Sequence, residues 1–413
     1  MMHRDQPHTI SPNDSACTVR RFTGSEADEL FILCRPDTAA AGGVAAQTES
    51  VYRMLHDALR AQGGDVRHVV HETIFFRNIR LDLDDFQQAR NGMLRELSGH
   101  ASRPASTCIE QPPLNEREQL EVSAFAVIPR RGGGKCGRTL WSTQPCACAV
   151  PARFATRIVR VGAQEHLYAG SIYGSDGSAF DEAFSMFGAA AQMLQREGLS
   201  FRHVVRTWIH VRDIDRNYAD LNRARREFFR RAGVTLHPAS TGIEGAPFPE
   251  RHNFSMSLYA VKSCLPVDVG LMTTPTLNEA WMYGSDFSRG LKVVEANKVA
   301  LYVSGTASVD EEGRTAHVGD FAGQVDRMLT NVSTLLSAQN ASFSDVVTAI
   351  TYLKHPADAP RLREMLQERG LDGIPNAMVH AGVCRPDLLC EMEAIAALPR
   401  SQSSDGGRAD RRG

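Results

Sequence analysis

The sequence predicts an α+β protein of three tandem domains, each a mixed β-sheet with helices packed on one face. Three observations predict it: one order of strands and helices recurs three times, the segments leading into the last strand of each copy are alike, and their spacing is nearly constant. Those segments read RPASTCIE (Arg103–Glu110), HPASTGIE (His237–Glu244) and IPNAMVHA (Ile374–Ala381). Pro104 and Pro238 lie 134 residues apart, and Pro238 and Pro375 lie 137 apart. That period is too long for a solenoid repeat.

Each copy opens on a strand-like run: LFILCRPD (Leu30–Asp37), LYAGSIYG (Leu167–Gly174) or LYVSGTAS (Leu301–Ser308). An amphipathic helix follows. Its apolar stripe is Val51, Leu55, Ala58 and Leu59 in the first copy, and Phe184, Phe187, Ala191 and Leu194 in the second. In the third it is Val325, Met328, Leu329, Val332, Leu335 and Leu336. Next come the strands RHVVHETIFF, RHVVRTWIHV and SDVVTAITYL, then a second helix, clearest as YADLNRARREFF (Tyr218–Phe229). The closing strands are LEVSAFAV (Leu120–Val127), FSMSLYAV (Phe254–Val261) and CEMEAIAA (Cys390–Ala397). The boundaries expected are a flexible N-terminus over 1–20, domains over 21–130, 156–263 and 291–398, linkers over 131–155 and 264–290, and a disordered tail over 399–413. The linkers are rich in Gly and Pro, and the second is long for a plain connector.

Composition excludes several classes of function. A net charge of -2, with no basic block beyond RREFFRR (Arg225–Arg231), argues against a nucleic-acid partner. No apolar signal core opens the chain and no run of about 18 apolar residues occurs, so a cytoplasmic protein without a membrane partner is expected. The nine cysteines are odd in number and scattered. Cys136, Cys146 and Cys148 lack paired CxxC spacing, and His317 and His355 lack ligand spacing, so no metal is expected.

The stretch HAGVCRPDLLCEMEAIA (His380–Ala396) carries the chemistry. Strand alternation puts Glu391 and Glu393 on one face and Cys390 and Met392 on the other. Two carboxylates on one strand face are poor core; buried, at least one must hold a proton or find a cation. Cys384 precedes them on an extended segment as a packing residue, a weak donor or a nucleophile. Arg206, in phase with Trp208 and His210 within the strand RTWIH, needs an anionic partner, either a structural carboxylate or a substrate. Trp208, Trp281 and Tyr283 are candidate pocket walls or core.

On these residues all three units resemble the YjgF/RidA (Rid) superfamily over residues 22–398, and the last two resemble the chorismatases built from Rid-like halves. The features that carry the likeness are RTWIHVRDID, YADLNRAR and the PAS segment in unit two, with VSGTAS, HVGD, HPAD and CRPDLLCEME in unit three. The resemblance implies Rid-like (chorismate-mutase-like) domains arranged as an intrachain pseudo-trimer, with active clefts between neighbouring sheets and a possible homo-oligomer. It further implies cofactor-independent hydrolysis of an enolpyruvyl ether to pyruvate and a cyclic or aromatic acid, with a small carboxylic acid as substrate. Glu391 matches the family's catalytic glutamate and Cys384 a pocket cysteine; Arg289 and Arg225 join Arg206 as substrate-binding candidates by resemblance, with Trp208 and Tyr283 as candidate pocket walls. Two departures stand out. Unit one has no counterpart in chorismatases, and the arginine that Rid deaminases carry before their glutamate is replaced by Ser106, Ser240 and Ala377. An enamine or imine deaminase and a non-catalytic binding protein are the competing readings. Unit one keeps a glutamate at the matching place, Glu121, and unit two has Ser255, so one active cleft is expected.

Overall fold

The computed structural model describes residues 16–37, 43–98, 104–130, 138–143, 153–263, 267–274, 286–295 and 298–400. Most of the expected flexible start and tail, the Cys136, Cys146 and Cys148 group, Trp281 and Tyr283 lie outside the described residues. Among those that are described, no helix is long and apolar enough to cross a membrane, and no group of three or more His, Cys, Asp or Glu could hold a metal ion.

Unit one runs β1 (Cys17–Thr23), β2 (Ala27–Cys34), α1 (Val44–Ala61), β3 (Val69–Phe76), α2 (Ile79–Ser98), β4 (Ala105–Glu110) and β5 (Leu120–Pro129). Unit two runs β6 (Arg138–Thr143), β7 (Arg153–Val161), β8 (Gln164–Ile172), α3 (Ala179–Arg196), β9 (Val204–Val211), α4 (Ile214–Ala232), β10 (Ala239–Glu244) and β11 (Phe254–Ser263). Unit three runs β12 (Asp268–Leu271), β13 (Gly290–Val294), β14 (Lys298–Ala307), α5 (Phe321–Ser337), β15 (Val346–Leu353), α6 (Ala359–Glu368), β16 (Asn376–His380) and β17 (Cys390–Pro399). The sheets are ordered β1-β2-β5-β3-β4, β10-β9-β11-β8-β7-β6 and β12-β13-β14-β17-β15-β16. In each, one helix crosses over to join the parallel pair β3/β4, β9/β10 or β15/β16, and the remaining pairs are antiparallel.

The segments expected as linkers carry edge strands. β6 and the start of β7 fall within 131–155, and β12 within 264–290. Gly and Pro report local turn chemistry; they do not show that a free sheet edge nearby offers the intervening residues backbone partners.

Alternation along the closing strand of each unit sorts two cores. In β17, Cys390, Met392, Ala394 and Ala396 pack beneath α5 and α6, and in β5, Leu120, Val122, Ala124 and Ala126 pack beneath α1 and α2. The opposite faces turn inward, where the three sheets meet. Phe125 of unit one lies 5.5 Å from Tyr168 of unit two, and Tyr259 of unit two lies 5.4 Å from Tyr302 of unit three, measured between ring centres. Lys298 of unit three closes the circle by pairing with Glu29 of unit one and, at 3.4 Å, with its own Glu295. The single chain thus encloses a three-sheet centre with its helices outside.

Candidate active site

The cleft between units two and three is built around Glu391. β14 and β17 pair with Ala307 opposite Glu391, and their register slips between Val303 and Thr306. Gly305 lies inside that slip, where an added Cβ would sit 2.0 Å from Glu391 Oε1. Any side chain at 305 would have to push the carboxyl group aside, since that group lies directly over the Gly305 backbone. The Gly305 N–H donates to Thr241 Oγ1 at 3.0 Å, which ties this bend to unit two. Gly305→Ala is expected to displace the carboxyl at a cost of about 1–3 kcal/mol. Loss of activity beyond that seen for other variants equally destabilised by thermal melt would check it.

Burial dominates the electrostatics of Glu391. It pushes the carboxyl up to about 8, neighbouring Glu393 adds repulsion, and Arg289, Arg206 and Arg385 act in the opposite direction. At neutral pH this balance favours the protonated carboxyl.

Cys384 faces the same cleft on the segment between β16 and β17. That segment is clamped across the unit boundary: Gly382 N donates to Glu244 Oε2 at 2.9 Å, and Glu244 N donates to Gly382 O at 3.0 Å. A Cβ on residue 382 would lie 2.2 Å from Glu244 Oε2, so a side chain there would likewise have to push the clamp aside. Burial, then the nearby Glu391, pushes the Cys384 thiol up to about 12. It is a neutral thiol, suited to lining a wall or weak donation and unsuited to nucleophilic attack.

Arg289 is buried at the rim of β13 and lines the cleft with Tyr218, Phe287 and Arg385. Arg225 stands behind this wall on α4. Its Nη2 donates to Asn222 Oδ1 at 2.6 Å and its guanidinium lies 5.4 Å from the Phe287 ring centre. The described walls enclose about 90 Å³.

Arg206 and Trp208 do not line this cleft. They lie at the three-sheet centre on Glu393. Arg206 Nη2 is 2.8 Å from Glu393 Oε2, Trp208 Nε1 donates to Glu393 Oε1 at 2.6 Å, and Tyr352 Oη donates to Glu393 Oε2 at 3.2 Å. Arg206 also donates to Thr241 Oγ1, the acceptor used by Gly305. The anionic partner that Arg206 needs is thus a carboxylate of unit three. Glu391 and Glu393 share a strand face, yet one opens on a cleft and the other is ion-paired in the interior. Tyr218, Arg385, Gly305 and Glu244 were not singled out as site residues from the sequence; each acts through a contact with another unit or a distant loop, which leaves no local signal.

His317 sits in the turn before α5 and His355 before α6, and neither lines the cleft. The matching positions in the other units differ. Glu121 faces a cleft between units one and three, and Ser255 is buried on the inward face of β11.

The endoribonuclease L-PSP family model matches residues 34–128 and 286–398. A chorismatase of Streptomyces rapamycinicus is 27% identical over 226 residues, covering 48% of this chain and 65% of that protein. A 3-hydroxybenzoate synthase of Streptomyces hygroscopicus is 27% identical over 225 residues, with the same coverage. The chain therefore spans somewhat less than two thirds of these relatives' length. The 3-aminoacrylate deaminase RutC of Acinetobacter baylyi is 32% identical over 97 residues, which is 23% of this chain and 77% of that protein. A solved chorismatase structure superposes with a TM-score of 0.59 at 17% identity, covering 80% of this chain and 93% of that one, which supports the fold. Residues beyond 130 make up less than that share of the chain, so the superposition reaches into unit one, against the expectation that unit one has no counterpart there. Through its family match and these relatives, the chain belongs to the endoribonuclease L-PSP family, the Rid superfamily.

Proposed function

We propose that this protein is a cofactor-independent hydrolase that cleaves the enolpyruvyl ether of chorismate or a related cyclic acid. The observation that carries this reading is a buried Glu391, its carboxyl pushed up to about 8, in one cleft with the Arg289 guanidinium. An enol ether is inert to hydroxide and opens when its terminal methylene carbon takes a proton. Glu391 supplies that proton, and the resulting oxocarbenium centre is attacked by water. The carboxylate left on Glu391 accepts the water's proton, and the hemiketal collapses to pyruvate and the ring alcohol. Arg289 and Arg385 match the substrate's carboxylates, which guanidinium forks bind in bidentate fashion. Cys384 and Tyr218 wall the reacting end.

The likeness to RutC favours a second reading, an enamine or imine deaminase in which Glu391 positions the attacking water. The serines and alanine at 106, 240 and 377 count against it, because no unit keeps the arginine of that chemistry. An RNA-directed activity is disfavoured by the charge of -2.

The test is pyruvate release from chorismate by the purified full chain, run beside ammonia release from an enamine generated in situ. Pyruvate alone supports the first reading and ammonia alone the second. A working acid at Glu391 also sets the pH profile: kcat/KM for chorismate should fall tenfold per pH unit above about 8, where the proton is lost. A flat profile from pH 7 to 10 would remove Glu391 as the donor.

A further inference from the structure

The cleft between units one and three is larger than the Glu391 cleft and differently equipped. It encloses about 730 Å³. Arg35 stands at the end of β2, one residue beyond the Cys34–Val122 pair, which places it across from Glu121 on β5. Its Nε lies 3.3 Å from Glu121 Oε2, and its Nη2 donates to the Asn376 carbonyl of unit three at 3.1 Å. The other carboxylate oxygen, Glu121 Oε1, is buried and has no hydrogen-bond partner among the described residues. The Glu121 side chain is 2% exposed and lines the cavity. An acceptor kept dry and unbonded in this way is costly unless something fills the space before it.

Across the cavity, Arg363 of α6 makes no hydrogen bond or ion pair among the described residues. Burial and the Arg35 charge lower its pKa, while Glu118 and Glu121 raise it. Asp37 and Asp372 also line the space, Asp37 being exposed at its edge. Glu118 accepts from Asn115 Nδ2 at 3.0 Å. Burial raises Glu118, and it pushes Glu121 up to about 7. As pH falls through about 7 Glu121 gives up its charge, while the guanidiniums of Arg35 and Arg363 remain over the cavity. This is no copy of the first cleft. Arg35 takes the strand position of Ala307, and Leu114 takes that of Cys384, seven residues before the glutamate.

We propose that the cleft between units one and three is a second small-molecule site, taking a small organic acid that also carries a hydroxyl. The ligand's carboxylate pairs with Arg363, and its hydroxyl, which can donate or accept, hydrogen-bonds with the unbonded oxygen of Glu121. Leu33, Met54 and Leu366 give an apolar ring a surface to lie on. The proposal concerns binding, and it stands whatever the reaction at Glu391.

The experiment uses full-length Arg289→Ala protein, in which the first cleft has lost its anion anchor. The probes, titrated calorimetrically at pH 6.5, are 3-hydroxybenzoate, benzoate and 3-hydroxybenzyl alcohol. One equivalent of 3-hydroxybenzoate should bind, with the two truncated probes at least tenfold weaker. Adding Arg363→Ala should weaken 3-hydroxybenzoate at least tenfold, as should Glu121→Leu. Adding Arg361→Ala, on the same helix but paired with Glu364, should change nothing. Because Glu121→Leu leaves Arg35 unpaired and endangers the fold, exposed Arg363 is the deciding position. Absence of binding to the Arg289→Ala protein, or binding indifferent to Arg363→Ala, overturns the proposal. Pyruvate release from chorismate by the Arg363→Ala single variant reports separately on the first cleft and should be unchanged.

Discussion

Glu391→Gln should abolish pyruvate release while making the protein more stable at alkaline pH. The amide cannot deliver a proton, so kcat should fall by about 10²–10⁴. The gain in stability follows from linkage. The folded-state value of Glu391, about 8, lies above its ordinary 4.5, so between those values the folded chain holds a proton that the unfolded chain releases. Stability of the native protein therefore declines as pH rises through that window and levels off above about 8. Glutamine removes this contribution. The stability difference between variant and native protein should be small at pH 4.5, grow steadily to pH 8 and then stay constant. It should reach a few kcal/mol, because each tenfold difference in proton affinity between the folded and unfolded chain is worth roughly 1.4 kcal/mol. Melting curves at five pH values check this. A difference independent of pH would show that the carboxyl is hydrated and ionised, and the acid role would fall with it.

Arg206→Ala should cause the largest loss of stability among the residues discussed. It strands Glu393 at the three-sheet centre with only Trp208 and Tyr352 as donors. Breaking a buried pair from one side costs about 3–5 kcal/mol, a drop in Tm of roughly 3–6 °C for a chain of this size. Since Arg206 also holds Glu391 down, any folded variant should lose the proposed activity at a higher pH than the native protein. Glu393→Gln should do the reverse. It removes the repulsion from Glu391 and leaves Arg206 uncompensated, so the alkaline limb moves towards neutral pH. A variant pair whose limbs move together would contradict this electrostatic arrangement.

The triplication and the two-faced strands were legible because both are written locally: Val325, Met328, Val332 and Leu335 at helical spacing, Cys390, Met392 and Ala394 at strand spacing. Glu391 was legible because carboxylates at alternate positions of an apolar strand violate the pattern that surrounds them. Its neighbour was harder. Glu393 breaks the same rule, and only the fold shows that Arg206, 187 residues earlier in sequence, neutralises it. The sequence showed that Arg206 needed an anion but could not identify which. The Glu244 clamp on Gly382, the bare backbone at Gly305 and the unbonded oxygen of Glu121 are equally non-local. They arise where different units or adjacent strands approach, and no window of residues contains both partners. The strands β6 and β12 were hidden for a related reason, since edge pairing is decided by the neighbour already in place.

Joining the three modules covalently changes what mutation can do to them. In an assembly of identical copies, one altered codon rewrites every interface at once, so a seam cannot lose its acid without all seams losing it. Here each seam has its own pair of genetic addresses. Residue 255 is serine, residue 121 is a glutamate paired with a guanidinium neighbour, and residue 391 is a glutamate with its carboxyl pushed up to about 8, all within one polypeptide. Tandem fusion thus lets a threefold architecture furnish its three seams differently.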